Sequence, residues 1–303
     1  MSDTPTQPIS GLAYYDKNAD VYMQTHAEYH AQRFKTFNLL LPPPPGELFD
    51  FGCGSADNLL LLAQAGFSVR GVDPAPNLIS LGQSALRSAG LDPASIRVGD
   101  VSALEQAEPR SIDVVTSLNV LAYLSQEEED RFFRAARRAI TRTGCIVFSV
   151  GNALSDIVTF NRYTIAFYER HVLPEFAETA EETRECVEKL KALLVNSAVP
   201  PKTTDASYAG RRSSERDVVR TRRVILTELI ARLGREFDLH VDAYNFYHFW
   251  PLPPQLLQET ERLTALQRKF DAFAHSNPLG IVFASQINIR ASLGERRRVR
   301  DNR

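Results

Sequence analysis

The chain has 303 residues, 44% hydrophobic and 24% charged, with a formal net charge of −2, an ordinary globular balance that suits one large α/β domain or one domain with an added subdomain. Near-neutral charge gives no general reason to expect a nucleic-acid or membrane partner, and three scattered cysteines, Cys53, Cys145 and Cys186, argue against a disulfide framework or a structural zinc site. The polar start MSDTPTQPIS has no signal pattern and no apolar run nears the roughly 18 residues of a membrane span, so a cytoplasmic setting is expected.

Residues 1–11 read as a disordered terminus. Residues 12–41 look helical, with aromatics at Tyr14, Tyr15, Tyr22, Tyr29, Phe34 and Phe37, until Pro42 to Pro45 end any helix. A regular alternation follows: strand 47–51, helix 56–65, strand 68–72, helix 77–89, strands 96–98 and 112–118, helix 126–140 and strand 144–150. Strands separated by such helices imply a parallel sheet with right-handed crossovers. After Gly151 the rhythm breaks, and residues 152–213 are too long for a simple connection. Helical patterns at 156–172 and 174–194 make that stretch a helical cap on the sheet domain. Helix 216–233, strand 239–249, helix 255–274 and strand 281–289 complete the core, and 292–303 read as a disordered basic tail. The expected organisation is thus a core with amino-terminal lid helices over 12–151, a cap over 152–213 and the rest of the core over 214–291.

The segment LFDFGCGSADN decides the functional reading. A strand delivers the chain into a glycine turn that opens a helix, and Gly52 and Gly54 permit a tight turn and a close ligand approach. A lone GxG is also met in ordinary turns. Three acids sharpen it: Asp50 at the end of the first strand, Asp73 (followed by Pro74) at the end of the second, and Asp100 after the third. All should gather at the carboxyl edge of the sheet, where ligands bind in such folds. A dinucleotide brings a pyrophosphate, which Asp50 would repel and which wants free N–H groups. S-adenosylmethionine brings two cationic groups and no phosphate. Asp50 suits the positive end, Asp73 the ribose hydroxyls and Asp100 the adenine amine. The third glycine of the dinucleotide pattern is replaced by Asp57.

This constellation resembles the class I S-adenosylmethionine-dependent methyltransferases. Asp50 to Gly54 look like their glycine-rich first motif, with Ala56 where many members carry a further glycine, Asp73 like the acid of their second strand, and Gly99-Asp100-Val101 like their adenine-side motif. IDVVTSLNVL, residues 112–121, resembles the strand beside the methionine part of the cofactor. The resemblance implies a Rossmann-like, seven-stranded, mostly parallel sheet with helices on both faces, here with a helical cap insertion. It sets Asp50, Gly52, Cys53, Gly54, Asp73, Pro74, Asp100, Val101 and Asn119 against S-adenosylmethionine, with Tyr15 and Tyr22 as an amino-terminal lid. Simple packing is the alternative for both tyrosines, and a solvated helix face for Arg33. Cys53 reads as a small packed residue, not a nucleophile.

Methyl transfer fixes no catalytic motif, because the enzyme mainly aligns the reactants and excludes water. Acceptor residues are therefore sought by position: Tyr123 after the fourth strand, the aromatic cap stretch with Phe160, Tyr163 and Phe167, and Tyr244 and Tyr247 in YNFYHFWPLPP. Core packing is the alternative for all of them. His248, with His240 behind it, is the candidate general base for an oxygen nucleophile. The arginines at 211, 212, 216, 220, 222 and 223 read as a solvated helix face, or as a site for a phosphate or carboxylate on the acceptor. No metal is expected. The expected activity is methylation of a small molecule, a hydroxyl first, by a monomer or homodimer. The rivals are a protein or RNA acceptor, an NAD-dependent oxidoreductase, and a protein that binds the cofactor without turnover.

Overall fold

A computed structural model describes residues 11–17, 19, 37–158, 162–175, 179–197, 222–247 and 261–294. The expectations for Tyr22, Arg33, Phe160, His248 and the arginines at 211, 212, 216 and 220 lie outside those residues, as do the side chains of Tyr163, Tyr244 and Tyr247.

Seven strands form one sheet: β1 (Glu47–Phe51), β2 (Ser68–Asp73), β3 (Ile96–Val98), β4 (Ile112–Ser117), β5 (Ile140–Gly151), β6 (Phe237–Tyr247) and β7 (Ala284–Leu293). Their order is β3-β2-β1-β4-β5-β7-β6. The pairs among β1 to β5 are parallel, and β7 runs antiparallel to both β5 and β6. The mostly parallel, seven-stranded Rossmann-like sheet expected from the sequence is what the chain builds. Between β1 and β4 the strand order reverses, and such a switch point opens a crevice at the carboxyl ends of the strands.

Burial explains why strands in this sheet read as near-continuous apolar runs. On one face, α2 (Asp57–Gln64) and α3 (Pro76–Ser88) cover Leu48, Val114, Cys145 and Val147, together with Phe37 and Leu40. On the other, α4 (Val101–Glu105), α5 (Gln126–Ala139) and α6 (Leu226–Leu233) cover Phe51, Val115, Ile146, Phe148, Ile287 and Ile289. The start of α5 is fixed by a capping box, in which Ser125 and Glu128 bond each other's backbone N–H. Acids in its first turn and Arg137 and Arg138 in its last complement the helix dipole.

Several boundaries differ from expectation. Of the helix expected at 216–233, residues 216–221 lie outside the described residues, 222–225 are non-helical, with Val224 bridged to Asn152 and Arg222 and Arg223 paired with buried acids, and 226–233 form α6. The single helix expected at 156–172 is broken into Leu154–Ile157, Arg162–Phe167 and a π turn at Tyr168–Val172. Thr164 donates its hydroxyl to the Asp156 carbonyl at 2.7 Å, which ties the second of these turns to the first. The second cap helix starts at Ala180 and not at Pro174. A second capping box, Thr179 with Glu182, sets that start and was legible as T-x-x-E. Gly280–Phe283 form a helical turn before β7, and β7 continues into Leu293, where a disordered tail was expected. No helix among the described residues is long and apolar enough to cross a membrane.

Candidate active site

The loop after β1 is tied to the end of β2. Gly52 and Cys53 both donate their backbone N–H to the Val72 carbonyl, at 2.8 and 3.0 Å. Gly52 has φ +81°, and a β-carbon there would lie 2.1 Å from Val120 Cγ2. Gly54 has φ +54° and only Leu78 Cδ1 within reach of such a carbon, at 4.0 Å, which leaves an open cradle over the loop. Asp73 closes the loop from the other side, accepting from Gly54 N–H at 3.1 Å and from Ala75 N–H at 2.9 Å. One bond reaches each carboxylate oxygen, so each keeps a further acceptor site. Burial raises the Asp73 carboxyl above its ordinary value, those two N–H bonds oppose the rise, and Asp16 adds to it.

Asp50 lies deeper, 2% exposed, with the Thr116 hydroxyl donating to its Oδ1 at 2.7 Å. Burial pushes its carboxyl up to about 7; the Thr116 bond opposes this and the negative Asp73 adds to it. A buried carboxyl raised in this way, with no cation among the causes of its shift, suits a cationic partner. Asp100 is exposed and caps α4, its Oδ1 accepting from Ser102 N–H at 2.9 Å and Ser102 Oγ at 2.6 Å. Those bonds hold its carboxyl below the usual range. Val101 is buried in the core beneath it, and Pro74 is exposed in the turn after Asp73. Cys53 is buried, with its thiol pushed well up, first by burial, which fits packing and not nucleophilicity.

The amino-terminal helix α1 (Gly11–Lys17) docks on the same edge. Asp16 accepts from Asn77 N–H at 2.8 Å, and its carbonyl accepts from the Asn77 side chain at 3.1 Å. This anchors α1 on the start of α3. Tyr15 then reaches Tyr123, hydroxyl to hydroxyl, with ring centroids 5.4 Å apart at 83°. Asp16, a fourth acid at this edge, went unmarked in the sequence, where no periodicity distinguishes it.

Beyond the ends of β4 and β5 lies a cavity of about 160 Å³ lined by Asn119, Ala122, Tyr123, Ser149, Gly151, Arg222, Arg223, Ser285 and Gln286. Asn119 holds a left-handed backbone, φ +58°. Its N–H donates to Ser149 Oγ at 2.8 Å, and the Gln286 side-chain amide bonds both its Oδ1 and Ser149 Oγ. Of the residues assigned from the sequence to the acceptor, Tyr123 lines this cavity and Phe167 packs beside Tyr168, outside the lining. His240 on β6 pairs with Arg290 on β7, and Arg290 is four residues along β7 from Gln286, about 13 Å at the usual strand rise. The described residues therefore do not bring His240 into the cavity. Ser149, Ser285 and Gln286 were missed, because nothing local marks residues that meet only through sheet topology, whereas Arg222 and Arg223, read from the sequence as a solvated face or as an anion site on the acceptor, line the cavity. The described residues contain no group of three or more His, Cys, Asp or Glu able to hold a metal.

Residues 48–144 match the family model described as a methyltransferase domain. That match marks a methyltransferase domain over about a third of the chain, the segment that carries β1 to β4 and the glycine loop. Among solved structures, it is similar to the DhpI–SAH complex structure, with 16% identity over 94% of this chain and 96% of that one and a TM-score of 0.50. It is also similar to a chain from the complex of the Haloferax volcanii Trm112 methyltransferase activator with a methyltransferase, at 12% identity over 95% and 99% and a TM-score of 0.54. Both likenesses concern the fold. No curated protein sequence matches the chain.

The donor set fits S-adenosylmethionine, the cofactor expected from the resemblance to class I methyltransferases. Asp50 would meet the amino group, Asp73 the ribose hydroxyls and Asp100 the adenine amine, and the Gly52–Gly54 cradle leaves room for the chain between them. Asp50 in that place disfavours a pyrophosphate, which counts against the nicotinamide alternative.

Proposed function

We propose that this methyltransferase acts on a small molecule seated in the cavity beyond β4 and β5, with a hydroxyl oxygen as the nucleophile. One observation carries the reading: the cavity of about 160 Å³ adjoins Asn119 at the end of β4, and its wall is mostly polar. A volume of that size suits a small group with a few convergent polar contacts. When bound, the cofactor supplies a methyl group on a positively charged sulfur. A hydroxyl oxygen that took up this methyl group would lose its proton and leave the sulfur as a neutral thioether. In this reading Asn119, Ser149 and Gln286 orient the acceptor, Tyr123 with Tyr15 screens the junction from water, and His248, on sequence grounds, takes the proton. A cytoplasmic setting accords with three free cysteines.

Two measurements test this. Asp73→Ala is expected to weaken S-adenosylhomocysteine binding by about 10–100-fold in calorimetry, as loss of hydrogen bonds to a charged acceptor would; unchanged affinity removes the cofactor assignment. Release of S-adenosylhomocysteine is expected with the dialysable fraction of a cell extract. Release only with its protein or RNA fraction transfers the activity to the rival acceptors.

A further inference from the structure

We propose that the acceptor carries an anionic group, a carboxylate or a phosphate, and that Arg222 and Arg223 read it; this deepens the small-molecule reading above and rests on it. The two arginines are held in place by backbone bonds. Arg222 N–H donates to the Ala122 carbonyl at 2.7 Å, Val224 N–H to Gly151 at 2.9 Å, and Ala153 N–H to Val224 at 2.9 Å. Both guanidinium-bearing residues therefore sit at the cavity wall on a segment pinned to the end of β5 and to the turn that carries Tyr123.

The charge is arranged one-sidedly. Arg222 and Arg223 are the charged residues of the described lining, which contains no carboxylate. Their counter-ions are not part of that lining. Glu129 on α5, 1% exposed, takes Arg222 and also Arg232. Asp156, 7% exposed, pairs with Arg223 Nε at 3.0 Å. Among the described residues, Glu129 is shared with Arg232 and Asp156 also faces Arg170, so neither acid is given wholly to a cavity arginine. Burial also pushes the Asp156 carboxyl up to about 6, against the pull of both arginines. The site is thus short of negative charge on its cavity side.

Hydrogen bonding agrees. Arg222 spends Nη1 on Gln126 at 2.9 Å and Nη2 on Glu129, but its Nε is buried with no hydrogen-bond partner. Nε is closed to any ligand, so the donors an anionic oxygen can meet are the second hydrogens on Arg222 Nη1 and Nη2, on a side chain 35% exposed, and Arg223 Nη1, since Arg223 gives Nε and Nη2 to Asp156, Asn152, Ser155 and Ser285. A cationic acceptor would face two arginines as well as the positively charged sulfur of the cofactor. An anionic one is attracted to all three.

The test uses the full chain loaded with S-adenosylhomocysteine and titrated calorimetrically with inorganic phosphate and with three matched phenols: 4-hydroxybenzoate, 4-hydroxybenzyl alcohol and tyramine. Binding of 4-hydroxybenzoate or phosphate about tenfold tighter than of the neutral and cationic phenols, weakening as salt rises, is the expected result. The stronger of the two anions tells carboxylate from phosphate. Equal affinities, a preference for tyramine, or no binding of either anion overturns the proposal. Arg222→Gln alone strands Glu129 and risks the fold, so Glu129→Gln/Arg222→Gln is its companion; Arg232 keeps Asp130 in both. The double variant is expected to keep its S-adenosylhomocysteine affinity and lose the preference for anions. Retained preference rules out Arg222 as the reader. Failure of S-adenosylhomocysteine to bind the unmodified chain brings down the methyltransferase reading and this one with it, whereas loss of anion preference alone leaves that reading standing.

Discussion

On the cofactor side of the crevice, the decisive groups come from adjoining strand ends and are fixed by backbone. Asp73 bonds Gly54, 19 residues away, and both glycines sit in a loop pinned to Val72. On the proposed acceptor side, the groups meet from across the chain. Gln286 and Asn119 are 167 residues apart, Arg222 and Glu129 93, and Tyr15 and Tyr123 108. The first region is rigid because a short motif dictates it. The second is an assembly of side chains that β5, β7 and the segment before α6 bring together, and it is the natural place for specificity to vary between proteins of one fold.

The strongest way to break that contrast is Gly52→Ala. The new β-carbon would meet Val120 Cγ2 at 2.1 Å, and φ +81° is strained for any side chain. Overpacking and backbone strain together are expected to cost about 3 kcal/mol in urea unfolding and to lower S-adenosylhomocysteine affinity by more than about tenfold. An alanine variant with native stability and affinity would show that the loop yields, and the distinction between a dictated and an assembled region would lapse.

Asp50 sharpens the contrast through pH. Its folded value near 7 lies above an ordinary value near 4. Between those values the folded chain holds a proton that the unfolded chain has shed. Its contribution to stability is therefore complete below about pH 4, is lost as pH rises toward 7, and is level beyond. Cofactor binding should run the opposite way, because a cationic amino group needs the ionised carboxylate. Affinity is expected to rise about tenfold from about pH 6 to about pH 8, with proton release on binding, and Asp50→Asn should flatten both trends. Unchanged slopes in the asparagine variant would place the titrating group elsewhere.

The sequence made the first region legible and left most of the second obscure, for physical reasons. Asp50, Gly52, Gly54, Asp73 and Asp100 could be read because a strand end, a glycine turn and an acid leave local marks. So could the alternation of β1 to β5. Ser149, Ser285 and Gln286 carry no such mark; they become a site only once β7 lies antiparallel beside β5. Arg222 and Arg223 were read as part of a helix because the arginine spacing looks amphipathic. Their buried acid partners, which no local pattern reveals, hold them in a non-helical segment instead.

Asn288 tests what the assembled region tolerates. It is fully buried on β7, opposite Ser149, and neither its amide nitrogen nor its oxygen has a hydrogen-bond partner. Asn288→Leu, similar in shape and apolar, is expected to stabilise the chain by about 1–2 kcal/mol in urea unfolding, since it removes a desolvation cost and breaks no bond. A destabilised variant would mean that the amide is engaged in solution.

The smallest effect is expected at Ala56, back on the cofactor side. Its backbone is left-handed, φ +66°, at the start of α2, and the residue is fully buried. A left-handed alanine pays for its β-carbon, which glycine avoids, but glycine also gains freedom in the unfolded chain. The two nearly offset, so Ala56→Gly is expected to raise stability by no more than about 1 kcal/mol. S-adenosylhomocysteine affinity should stay the same, because the loop is held by Val72 and Asp73 and not by this side chain. A large loss of affinity would show that the alanine methyl keeps the cradle shut against alternative loop conformations, and the rigidity assigned to the motif would belong to its packing instead.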